Sequence, residues 1–132
     1  MCLSKNTLKC CINKYPFSEE DKLEVIQLQW QVMRDVIPRL KRLSAENKLE
    51  LTCTPFYHPI LPLLSKSGES DLGFSWHEDA KWQIEQAQVT FEKLFGSRPQ
   101  GMWPSEGSVS ESAAALIADS GIRWIATDEE IL

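Results

Sequence analysis

Leu23, Ile26, Trp30, Met33, Ile37 and Leu40 recur at alternating steps of three and four residues. That spacing keeps one apolar stripe along a helix, so it predicts a helix that buries this face in a core. Phe17-Ser18-Glu19-Glu20-Asp21 marks its start, with Ser18 as the cap and an acid three residues on. Pro38 is expected to kink the helix, or to begin a second short one reaching about Leu43, because its ring removes a backbone donor.

The pattern then changes. Leu49-Glu50-Leu51-Thr52-Cys53-Thr54 predicts a short strand, followed by the loop Pro55-Phe56-Tyr57-His58-Pro59 and a helical turn over Ile60–Leu64. Ser65 to Ser75 is polar and glycine-bearing, hence a loop. From about Asp79 to Phe95 a second amphipathic helix should bury Ile84, Ala87, Phe91, Leu94 and Phe95, with Gly96 at its C-terminal cap. A strand is expected around Gly101-Met102-Trp103. A third helix, capped near Ser110 and running through Ala118, should end at Gly121. Ile122 to Thr127 predicts the last strand. Helix and strand alternate three times, with crossovers long enough for parallel pairing, so the expected fold class is α/β with a parallel sheet.

Composition narrows the classes. A chain of 132 residues suits one ordinary domain, and a net charge of -5 argues against a general nucleic-acid binder, which would need a basic face. No apolar run approaches the roughly 18 residues of a membrane span. The lysine-bearing start MCLSKNTLKCCINKYP lacks the apolar core of a secretory signal, so the expected location is cytoplasmic. Cys2, Cys10, Cys11 and Cys53 do not make the paired loops that wrap zinc. They read as free thiols in a reducing compartment, and no metal or other cofactor is expected.

Unusual residues close each expected strand: Thr54, Phe56, Tyr57 and His58, then Trp103, Ser105 and Glu106, then Thr127, Asp128 and Glu129. Parallel α/β folds gather ligands outside the carboxyl ends of their strands, so His58, Trp103, Glu106 and Asp128 are candidates for one site. Turn-rich loops are polar in any case, and helix starts favour acids such as Asp128 and Glu129. Glu106, between Trp103-Pro104 and Gly107-Ser108, sits on a turn beside a bulky aromatic. A carboxylate there could attack an anomeric carbon while an indole face stacks on a sugar. A retaining glycosidase would need a second carboxyl roughly 5–5.5 Å away. Glu111, inside the next helix start, is expected to point elsewhere.

TPFYHPILPLL, FGSRPQGMWPSEGSVSE and GIRWIATDEEIL together resemble glycoside hydrolase family 57, over nearly the whole chain from Phe17 onward. The resemblance implies about three β/α units of a distorted (β/α)7 barrel. It implies a retaining hydrolase or transglycosylase acting on α-linked glucans or related oligosaccharides. Glu106 would then be the nucleophile and His58 would line the sugar site, with Glu50 and Trp103 in matching blocks as site walls. The family's opening His-x-Pro strand and the block with its catalytic aspartate have no counterpart here. Residues 1–16 therefore read as an extension and 17–132 as part of a catalytic domain. Such a piece is expected to be inactive alone and to associate with the rest of the domain or with itself. Two other classes stand beside this one: a non-catalytic carbohydrate-binding homologue, and a metal-dependent polysaccharide deacetylase using His58, His77 and Asp79.

Overall fold

The computed structural model describes residues 17–65 and 76–129. The expected extension over 1–16, with Cys2, Cys10 and Cys11, and the loop over 66–75 lie outside the described residues. The chain divides into two compact units, Met1–Leu40 and Lys41–Leu132. No described helix is long and apolar enough to cross a membrane.

Helix α1 spans Glu19–Ala45. Its start is the expected box: the Asp21 amide donates to Ser18 Oγ at 3.2 Å, and the Ser18 amide donates back to Asp21 Oδ2 at 2.8 Å. Pro38 lies inside one continuous helix, so it does not begin a second short one, the latter of the two outcomes expected of it. The apolar stripe is also not core, since no residue of α1 is buried. Trp30 and Met33 are among its exposed side chains. The helix ends in a reversal around Asn47, which takes φ 54°. The amides of Asn47 and Lys48 return to the carbonyls of Ser44 and Leu43, both at 3.0 Å. Asparagine tolerates that left-handed position better than most residues.

The second unit carries α2 (Leu61–Ser65), α3 (His77–Phe95), β1 (Gly101–Met102), a single 3₁₀ turn (Ser105–Gly107), α4 (Glu111–Asp119) and β2 (Trp124–Ile125). Gly96 at φ 88° ends α3. Ser110 Oγ accepts from the Ala113 amide to start α4. Both follow the sequence expectation. Helices α2, α3 and α4 pack on one another, and Leu61, Ala80, Ile84, Met102, Ala113, Leu116, Ile117 and Ile122 form the core. Of the five residues expected to be buried on α3, Ile84, Ala87 and Phe91 are. Phe95 is half-buried and Leu94 exposed. The buried face instead turns toward Ala80, Gln83 and Gln88. Gln88 is tolerated there because its amide nitrogen donates to the carbonyl and hydroxyl of Ser120, tying α3 to the end of α4.

β1 pairs with β2 in parallel, Gly101 opposite Trp124 and Met102 opposite Ile125. On its other side Met102 makes a parallel bridge to Cys53. The parallel sense is the one expected, but the strands are short. The expected strand Leu49–Thr54 is reduced to the Cys53 bridge, and Ile122–Thr127 to Trp124–Ile125. A ladder extends only where neighbours supply partners. Among the described residues neither flanking segment has a further strand outside it. The described residues are mostly helical and do not close a barrel. Gly101 is needed at its place: a Cβ there would fall 2.2 Å from the indole of Trp124.

Candidate active site

Each sheet segment hands its chain to a turn at its carboxyl end. After Cys53, the turn Pro55–His58 is closed by the His58 amide donating to the Pro55 carbonyl at 2.9 Å. It is fastened to α3 by buried Gln83, whose carbonyl accepts from the Phe56 amide at 3.1 Å. The side-chain oxygen of Gln83 accepts from the Tyr57 amide at 2.9 Å. After β1, Pro104 leads into the 3₁₀ turn, closed by the Gly107 and Ser108 amides on the carbonyls of Pro104 and Ser105. After β2, Thr127 Oγ1 donates to the Gly107 carbonyl at 2.6 Å, locking the third turn to the second.

These turns bring His58 and Glu106 together. His58 Nε2 lies 3.1 Å from Glu106 Oε1, and His58 Nδ1 lies 2.9 Å from Thr54 Oγ1. A carboxylate only accepts, so Nε2 carries the proton toward Glu106. In a neutral imidazole Nδ1 is then the acceptor, and the Thr54 hydroxyl donates to it. Both His58 and Glu106 take left-handed backbone conformations, with φ of 59° and 57°. The Glu106 side chain is 73% exposed.

Trp103 is a half-exposed indole beside the turn that carries Glu106. A Cβ on Gly107, itself at φ 66°, would touch its ring edge at 3.5 Å and would lie 3.7 Å from the Asp128 amide nitrogen. Asp128 thus arrives beside the 3₁₀ turn through its backbone, with its side chain exposed. Four of the five candidate site residues, His58, Trp103, Glu106 and Asp128, therefore lie at one end of the parallel segments.

Glu50 does not join them. It accepts a hydrogen bond from Trp124 Nε1 at 3.1 Å. It lines a separate cleft of about 290 Å³ with Lys41, Phe91, Arg98 and Gln100, residues that precede the sheet or flank its amino end. Arg98 is held there by Glu85 and Glu92, whose hydrogen bonds keep its guanidinium more basic than usual. His77 and Asp79 begin α3. Among the described residues no three His, Cys, Asp or Glu side chains converge to hold a metal ion. The links made by Thr54, Gln83 and Thr127 were not read from the sequence. Thr54 stands four residues before His58 across Pro55, a local spacing that could have suggested its bond.

Residues 6–131 match the profile described as Glycosyl hydrolase family 57. Alpha-amylase 1 of Dictyoglomus thermophilum is 26% identical over 91 residues, which cover 69% of this chain and 12% of that protein. A branching enzyme of the same family from Thermococcus kodakaraensis, crystallised with glucose, superposes with a TM-score of 0.61 at 18% identity, over 91% of this chain and 24% of that one. The branching enzyme from Pyrococcus horikoshii gives 0.56 at 19%, over 90% and 25%. At such identities the two structures speak for the fold alone. The chain spans about a quarter of their length and an eighth of the amylase's. The turn that carries Glu106, the turn that carries His58 and the segments between them all fall within the matched residues, and the chain belongs to glycosyl hydrolase family 57.

Proposed function

We propose that this chain is part of a retaining hydrolase or transglycosylase of α-linked glucans, with Glu106 as the nucleophile. The observation that carries the reading is the hydrogen bond between His58 Nε2 and Glu106 Oε1, made by two exposed side chains from left-handed backbone positions at the same sheet end. In this reading a carboxylate oxygen of Glu106 attacks the anomeric carbon. The bond from that carbon to the leaving oxygen breaks, and an acid protonates the leaving oxygen. The glycosyl group stays esterified to Glu106 until water, or a sugar hydroxyl in a transferase, displaces it and restores the carboxylate. The His58 N–H, already aimed at Glu106, holds the carboxylate in line. Trp103 walls the sugar, and Asp128 borders it.

The acid is proposed to come from outside these residues, so the 132-residue chain alone should turn over α-glucan negligibly. In an enzyme that includes this chain, Glu106→Gln keeps the shape but cannot attack. Activity on amylose should fall by at least the roughly 10²–10⁴-fold that loss of acid–base help alone costs. A Glu106→Ala variant should regain turnover with azide and release a glycosyl azide of inverted configuration. Glu106→Gln activity within a fewfold of the unmodified enzyme on its best α-glucan would remove Glu106 from the chemistry.

A further inference from the structure

The turn that presents His58 also presents two aromatic rings, and a third comes from α3. Phe56 and Tyr57 meet edge to face at 4.7 Å between centroids. Phe56 and Trp82 do so at 5.8 Å, and Tyr57 and Trp82 lie within 28° of parallel at 6.0 Å. Aromatic clusters of this kind ordinarily fill cores, as the Phe91–Phe95 pair does, with Phe91 buried. This one does not. Tyr57 is 73% exposed, Trp82 44% and Phe56 39%.

Nor is the cluster a loose loop tip. Gln83, buried beside Trp82 in sequence, takes the amides of both Phe56 and Tyr57, so rings and helix are fixed to one anchor. Rings held in place before a ligand arrives lose little freedom on binding.

Resting on the reading of Glu106 at an α-glucan site, we propose that Phe56, Tyr57 and Trp82 form a stacking platform for a further glucose unit of the chain bound there. A pyranose ring offers an apolar face of C–H groups, which exposed aromatic rings match, and a rim of hydroxyls. The rim needs donors and acceptors close by. Thr54, His58 and Glu106 supply them, and Tyr57 directly precedes His58. An apolar protein partner laid over the same rings would meet the His58–Glu106 pair at the edge of its footprint and would have to strip it of water. A glucan keeps that pair hydrated or hydrogen-bonded. The platform therefore adds length preference: it favours oligosaccharides that reach beyond the sugar at Glu106.

The test is a titration of the 132-residue chain with maltoheptaose and with maltose, read by tryptophan fluorescence and calorimetry. Maltoheptaose should bind more tightly than maltose. Tyr57→Ala and Trp82→Ala should each weaken maltoheptaose about tenfold and leave maltose within about twofold. Tyr57→Phe, which keeps the ring, should bind as the unmodified chain does. No maltoheptaose binding by the unmodified chain would overturn the platform. So would unchanged affinity in Tyr57→Ala, or equal losses in Tyr57→Ala and Tyr57→Phe. The titration does not depend on bond cleavage. If Glu106→Gln leaves turnover intact, the nucleophile reading fails, while the platform is still decided by the binding of maltoheptaose to the ring variants.

Discussion

A left-handed backbone costs an ordinary L-residue roughly 1–2 kcal/mol, and the site contains two such residues in hydrogen-bond contact, His58 and Glu106. One hydrogen bond contributes about 0.5–1.5 kcal/mol net, too little to offset both. The arrangement is therefore not a stabilising device, and the strain buys placement: each turn aims its side chain across the same gap. Glu106 fixes which imidazole nitrogen bears the proton, and Thr54 completes the chain of contacts by donating to the other. Thr54→Val removes that donor. The Nδ1 resonance of His58, followed by ¹⁵N NMR, should then move as its hydrogen bond is lost, and an active enzyme containing the change should lose about tenfold in kcat with little change in KM. Thr54→Ser should restore both. An Nδ1 shift identical in Thr54→Val and the unmodified protein would show that the hydroxyl does not donate to the ring.

Cys53 lies one residue before Thr54, and its thiol titrates far from neutrality. Burial beside Met102 pushes it up to about 11, against a small lowering by the backbone hydrogen bond. The native state therefore keeps this proton after the unfolded chain has lost its own. Its contribution to stability is fully present below about pH 9 and fades as pH rises through 11. Melting temperature should fall over that window, and less steeply in Cys53→Ala. Parallel curves for the two proteins would contradict the linkage.

At the scale of elements, α1 raises the sharpest issue. Its stripe includes Leu23, Ile26, Trp30 and Met33, all exposed, on a helix with nothing buried. Exposed apolar faces of this extent mark surfaces that other chains or segments cover. The 132-residue chain should self-associate in light scattering, and Trp30→Glu with Met33→Glu should shift it toward the monomer. An unmodified chain that stays monomeric at about 100 µM would refute this. The periodicity of α1 was legible because it is local, as were the caps at Ser18, Gly96 and Ser110 and the end of α4 just before Gly121. Which face finds a partner was not, since it depends on residues distant in sequence. Gln88 is buried and Leu94 exposed for that reason: Ser120, at the end of α4, accepts from the Gln88 amide. The site was legible in part, through the rule that parallel segments deliver their functional residues at one end. Glu50 begins its segment rather than ending it, and it lies at the other end.

At the scale of the molecule, the contact distances along the chain set an order of assembly. Thr127 and Gly107, which lock the second and third turns, are 20 residues apart in sequence. His58 and Glu106 are 48 apart. Closing the longer loop costs roughly 0.8 kcal/mol more in chain entropy, a little over one doubling of length. The unit from β1 through α4 to β2 should therefore form first, with Glu106 already on its turn, and the Cys53–His58 segment should dock onto it afterwards. Pulse-labelling hydrogen exchange during refolding should protect the Ala126 amide before those of Phe56 and Tyr57, and simultaneous protection would remove the order. If the order holds, the last native contact to form is also the first to be lost. Gentle heating or low denaturant would then separate the histidine from its carboxylate while the rest of this unit stays folded, and a catalyst built on this frame would fail by disarming before it fails by unfolding.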